Sequence, residues 1–146
     1  MKILYLKTDL HTEPLIAGGS VAHTMGVIKG FLDLGHTVSI ATSACMPDLE
    51  KVSVDRFKFL ALPKICNRLP WAFNCLASSF FFIPTLYSFL KKTESTHIYQ
   101  RYSPYNIAGL LMSYLFRIPL IVEFNGSEAW ASKNWGGKKG ASVCLA

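Results

Sequence analysis

The sequence predicts an α/β fold, a mostly parallel sheet with helices on both faces, and three observations carry that expectation. Short apolar runs alternate with segments of helical period along most of the chain, the pattern of strands joined by crossover helices. A glycine pair, Gly18-Gly19, stands before the first helical segment and Gly35 after it, so residues 1–42 read as one βαβ unit. Hydrophobic residues make up 51% of the 146 residues and charged residues 16%. That composition argues against disorder and suffices for one sizeable core.

Residues 3–6 form an apolar run between lysines, as expected of a strand buried on both faces. A polar loop over residues 8–17 follows, with Asp9, His11, Glu13 and Pro14. Next, Val21, Met25, Ile28 and Leu32 share one helical stripe, with Ser20 placed as N-cap and Gly35 as the helix stop. Residues 36–42 alternate and are rich in β-branched side chains, giving a second strand. A third strand is expected over residues 57–62, a fourth over 97–100 and a fifth over 120–124, with a helix over 106–116 ended by Ile118-Pro119. The tail, residues 136–146, opens with Gly136-Gly137-Lys138-Lys139-Gly140 and has linker composition, so the folded domain is expected to cover residues 1–135.

Residues 69–90 carry no charge. About 20 apolar residues are enough to span a bilayer. This run, however, holds Pro70, Asn74, Ser78, Ser79, Pro84, Thr85 and Ser88, and removing it would break the α/β pattern. A buried or membrane-surface helix is therefore expected rather than a span.

Fifteen Lys and Arg against nine Asp and Glu give a net charge of +6, which favours anionic partners or simply keeps the chain soluble. The basic residues are scattered, without an arginine-rich run or a zinc-finger spacing, so nucleic acid is not an expected partner. Cys45, Cys66, Cys75 and Cys144 match no common metal spacing, and no metal is expected. Cys75, inside an apolar stretch, reads as a small buried hydrophobe. The first residues read as a strand and not as a signal peptide, which places the expected location in the cytoplasm.

In an open parallel sheet, ligands bind at the carboxyl ends of the strands near the point where strand order reverses. The loops over residues 8–19, 101–105 and 125–130 leave such ends and are expected to line one cleft. Gly18 and Gly19 before a helix allow close approach of an anion to the helix start, or they form a plain turn. Neither GxGxxG nor GxxxxGK[ST] is present, so nicotinamide-dinucleotide and ATP binding are not supported. His23, off the apolar stripe, faces either the cleft or solvent. Arg101, just after the fourth strand, suits a phosphate or sugar hydroxyl, or else a tether to Glu123 or Glu128. Asn125-Gly126-Ser127-Glu128 ends the fifth strand with an amide and an acid near Trp130 and Trp135, a set suited to sugar recognition or to a helix cap around Ser127.

Together, the start of the chain, Gly18-Gly19-Ser20 with His23, Gly35 to Ile40, Tyr99 to Ser103 and Pro119 to Glu128 resemble the amino-terminal domain of family 4 (group 1) glycosyltransferases. Those are Rossmann-like GT-B enzymes, here of the bacterial type that builds surface polysaccharides or glycolipids. The resemblance covers residues 1–135. It implies retaining transfer of a hexose from a nucleotide diphosphate sugar to a saccharide or lipid-linked acceptor, with no catalytic metal and no cofactor beyond the donor.

Gly18 and Gly19 would then approach the donor diphosphate. Asn125 and Glu128 would meet the reacting sugar, and Arg101, Ser103 and His23 would lie on the acceptor side. Many members carry a histidine where this chain has Asn125, so a histidine-dependent role is not carried over. The donor-binding carboxy-terminal half is not among the 146 residues, which implies a truncated chain, inactive alone, or a separate polypeptide that completes it. Peripheral contact with the inner membrane is a further expected association. The alternative reading is a non-catalytic module that binds a membrane surface or a partner.

Overall fold

The computed structural model describes residues 1–9, 18–47, 49, 52–61 and 70–125. The elements are β1 (Lys2–Lys7), α1 (Gly19–Asp33), β2 (Thr37–Thr42), β3 (Arg56–Phe59), α2 (Trp71–Thr93), β4 (His97–Arg101), α3 (Ala108–Phe116) and β5 (Leu120–Glu123). Their strands form one sheet in the order β3-β2-β1-β4-β5, and every pair is parallel. The strand order reverses between β1 and β4. The α/β expectation holds, with strand limits shifted by one or a few residues.

Side-chain alternation along the central strands sorts the core into two layers. Leu4, Leu6, Ala41 and Ile98 face α2 and α3, where they meet Phe82, Leu86, Leu90, Ala108 and Met112. Tyr5, Val38 and Ile40 face the opposite way, onto Val21 and Ile28 of α1. Helices therefore cover both faces, which is why the central strands read as continuous apolar runs.

Helix α1 ends as its sequence indicates. Gly35 takes φ 74°, its amide donates to the Leu32 carbonyl at 2.9 Å, and the His36 amide donates to the Phe31 carbonyl at 3.0 Å. These two bonds make a Schellman motif, which needs a left-handed residue that glycine supplies without strain. The start of α1 corrects the expectation for Ser20. The cap is Gly18, with no side-chain cap bond, and Ser20 lies inside the first turn. Its hydroxyl is engaged elsewhere, with Lys7.

Helix α2 is the crossover between β3 and β4. By length and composition it could cross a membrane, with a mean hydropathy of 1.4. Yet Cys75, Phe82, Leu86, Phe89 and Leu90 are buried within the protein. The serines that interrupt its apolar run have structural roles: Ser78 donates to the Cys75 carbonyl at 2.6 Å, and the Ser79 hydroxyl accepts from the Ile107 amide at 3.1 Å. Ser79 thus satisfies an amide at the start of α3 that has no intrahelical partner. That helix begins at Ala108 and not at Asn106, because the Asn106 side chain accepts from the Ala108 amide at 3.1 Å instead of continuing the helix.

Gly109 is where α3 touches the sheet. A Cβ there would sit 1.8 Å from Gln100 Oε1 and 3.2 Å from Leu6 Cδ2, and Gln100 is itself buried. Gly109→Ala is therefore expected to destabilise the protein by about 1–3 kcal/mol, the usual range for overpacking. A urea-unfolding midpoint unchanged from the parent protein would refute this.

Candidate functional site

The register places the last residues of the strands in one row across the carboxyl edge of the sheet. Thr42 pairs with Lys7, Lys7 with Arg101, and Arg101 with Glu123. Residues so paired in a parallel sheet point to the same face, here the face covered by α1. Two cations and a carboxylate therefore lie side by side at the strand-order reversal, beneath the start of α1.

Lys7 is fully buried, forms an ion pair with Asp9, and donates to Ser20 Oγ at 3.3 Å. Burial pushes its ammonium below the ordinary lysine value, although Asp9 opposes the shift. Glu123 is the hub of the other half of the row. Its Oε1 lies 2.8 Å from His23 Nε2 and 3.8 Å from Arg101 Nη1, and it also accepts from the Asn125 side-chain amide. Two further bonds fix the loops: Ser43 donates to the Asp9 carbonyl at 2.9 Å, and Ser103 to the Thr8 carbonyl at 3.4 Å.

Among the described residues, Thr8 Oγ1, Arg101 Nη1 and Glu123 Oε2 are buried without a hydrogen-bond partner, and all three belong to this edge. Such atoms are uncommon in folded proteins and mark places where a ligand or water can complete the bonding. The set supplies a donor and two acceptors within a charged environment, a combination suited to phosphates and sugar hydroxyls.

Gly18, at the start of α1, adopts φ 125° and ψ 171°, and among the described residues nothing lies within 4 Å of a built Cβ. That region of backbone space is essentially reserved for glycine. The helix start thus presents backbone amides at the positive end of the α1 dipole.

Of the residues picked out by sequence, the structure brings Gly18, Gly19, His23, Arg101, Ser103 and Asn125 to this edge, while Glu128 lies outside the described residues. His23 is half-exposed and points to Glu123, and Arg101 has Glu123 as its carboxylate neighbour. Asn125 is engaged with the same carboxylate. Lys7, Asp9 and Glu123 were not singled out as site residues. The available signal was the period of two along β1, which puts Lys7 on the same face as Tyr5 at a strand's carboxyl end.

Below this row, Tyr5 and Tyr99 stack with ring centres 5.6 Å apart. Burial pushes the Tyr5 phenol up to about 12, and burial together with the nearby Glu123 charge does the same for Tyr99. Both folded values exceed the ordinary value near 10. Their stabilising contribution is therefore complete below pH 10 and is lost as pH rises through about 12. Lys7 acts in the opposite sense: the unfolded chain binds its proton more tightly, so its contribution rises with pH up to about 10.4. Stability measured by urea unfolding is expected to fall above pH 10. Tyr5→Phe should remove on the order of 2–3 kcal/mol of that fall; an alkaline limb unchanged in the variant would refute the assignment.

No family profile matches the chain, and no curated protein matches its sequence. Solved structures do match. A glycosyltransferase from Rickettsia africae superposes with a TM-score of 0.58 at 18% identity over 91% of this chain and 34% of its own. The glycotransferase of kitacinnamycin gives 0.58 at 12% identity over 83% and 30%. MurG of Acinetobacter baumannii gives 0.50 at 17% identity over 84% and 34%. The chain thus spans roughly a third of the length of each of these proteins. What the likeness shows is the fold: a Rossmann-like α/β domain of the kind found in GT-B glycosyltransferases.

Proposed function

We propose that this chain forms the acceptor-side half of a retaining glycosyltransferase of the family 4 type, moving a hexose from a nucleotide diphosphate sugar to a saccharide or lipid-linked hydroxyl. The observation that carries the reading is the Lys7–Arg101–Glu123 row with its unpartnered polar atoms, set beneath the Gly18 start of α1 at the strand-order reversal. A second half, continuous with this chain or on another polypeptide, holds most of the donor. No metal or further cofactor is invoked, and the reaction belongs in the cytoplasm, on substrates for surface-polysaccharide assembly.

In this reading the donor diphosphate approaches Gly18 and Gly19, where backbone can come close and the helix dipole favours negative charge. Arg101 Nη1 donates to a phosphate or sugar oxygen, and Glu123 Oε2 accepts from an acceptor hydroxyl. Ser103 and His23 hold the surrounding loops, and Asn125 and Glu128 face the transferring sugar. Chemistry of this kind rests on positioning and on stabilising diphosphate charge, not on a strong nucleophile.

The test is an NMR titration of the isotope-labelled chain with UDP-glucose and a panel of hexose saccharides. Millimolar binding is expected from a few hydrogen bonds in half a cleft, near 4 kcal/mol. Shifts should concentrate at residues 7–9, 18–20, 101–103 and 123–125, and shrink in Arg101→Ala. If no ligand shifts this edge, or Arg101→Ala shifts equally, the proposal fails.

A further inference from the structure

An ion pair taken out of water returns little net stability, and apolar side chains of similar volume often serve a fold as well or better. Lys7 is half of such a pair. It ends β1 fully buried, pairs with Asp9, and donates to Ser20 Oγ at 3.3 Å in the first turn of α1. A buried ammonium in that position invites the question of what Ser20 does.

Hydrogen bonding at Ser20 answers it. A lysine ammonium only donates, so Ser20 Oγ accepts in that bond and its own proton is left for another acceptor. Inside a helix a serine proton goes back to a carbonyl three or four residues earlier, as that of Ser78 goes to Cys75. Ser20 has no earlier helical carbonyl, because α1 begins at Gly19. Nor does it cap, since the start of α1 has no side-chain cap bond. Among the described residues its proton has no acceptor. The hydroxyl therefore stands beside the first amides of α1, which have no intrahelical partner either, and the bond from the Lys7 ammonium polarises it into a better donor. Two groups next to Lys7 also lack partners among the described residues: Thr8 Oγ1, fully buried and next in the chain, and Arg101 Nη1, its neighbour across the sheet. The acids of this edge are set against cations, Asp9 against Lys7 and Glu123 against Arg101. The groups left over are mainly donors, which suits an anionic oxygen.

We infer that Ser20 Oγ donates to a phosphate oxygen of the donor diphosphate, and that Lys7 is the positioning residue that holds this hydroxyl in place. The inference rests on the diphosphate reading of the α1 start. The test is titration of the isotope-labelled 146-residue chain with inorganic pyrophosphate at constant ionic strength, followed by amide shifts at residues 18–22. Ser20→Ala should weaken binding at least about tenfold, the loss expected for one hydrogen bond to a charged group. Its urea midpoint should stay close to the parent's, because alanine suits a helix and no cap is lost. Ser20→Thr keeps a hydroxyl and should restore most of the binding. Lys7→Met with Asp9→Asn removes the ion pair as a unit; the protein should remain folded and bind as weakly as Ser20→Ala. No shift at residues 18–22 in the parent overturns the diphosphate reading and this inference with it. Parent shifts that persist undiminished in Ser20→Ala overturn the inference alone, as does a threonine variant that binds no better than the alanine one. A folded Lys7→Met, Asp9→Asn protein that binds like the parent overturns the role of Lys7, and the two Ser20 variants decide the matter if that protein is unfolded.

Discussion

Glu123→Ala is expected to lower the unfolding free energy by about 3 kcal/mol, the lower end of the range for breaking a buried ion pair. Its side chain is only 9% exposed, and it is the shared neighbour of His23, Arg101 and Asn125. Alanine removes the carboxylate beside the partly buried Arg101 guanidinium. The Arg101 separation of 3.8 Å is long, which is why the lower end of the range applies. Glu123→Gln keeps an oxygen to accept from Asn125 and should cost about 1 kcal/mol. Urea unfolding reads the difference as a shift in midpoint at constant slope. Equal midpoints for the two variants would show that charge is not what holds the β5 end to β4 and α1.

Phe82→Ala is expected to cost about 3–5 kcal/mol, and Phe81→Ala, its neighbour in sequence, less than about 0.5 kcal/mol. Phe82 is 1% exposed in the layer formed with Leu4, Leu6 and Leu86, whereas Phe81 is 48% exposed. The contrast decides what α2 is. A helix whose stability came from lipid would lose comparable amounts at either position, while a core helix loses only at the buried one. Thermal or urea unfolding in aqueous buffer separates the two results.

The apolar layer and the polar edge depend on one another. Gly109 lets α3 approach Gln100 and Leu6 closely, the residues next to Arg101 and Lys7 in their strands. Ser79 ties α2 to the start of α3, just after the loop that carries Ser103. Changes in the core are therefore expected to move the candidate site, and stability should be measured beside binding in every variant.

Strand and helix alternation was legible from the chain because each signal is local. Apolar runs, a 3.6-residue stripe and a glycine helix stop depend on neighbours within a few residues, and Gly35 ends α1 through bonds to Leu32 and Phe31 that such spacing foretells. Ser20 was misread because capping chemistry looks the same from sequence whether the serine precedes the helix or lies in its first turn. Only the backbone at Gly18 and the bond from Lys7 decide it. The strand order, the row of Lys7, Arg101 and Glu123, and the choice of which α2 phenylalanines face water belong to the tertiary structure alone. Those residues lie far apart in the chain, and only the parallel register brings their side chains onto one face, where burial groups their charges into a candidate site.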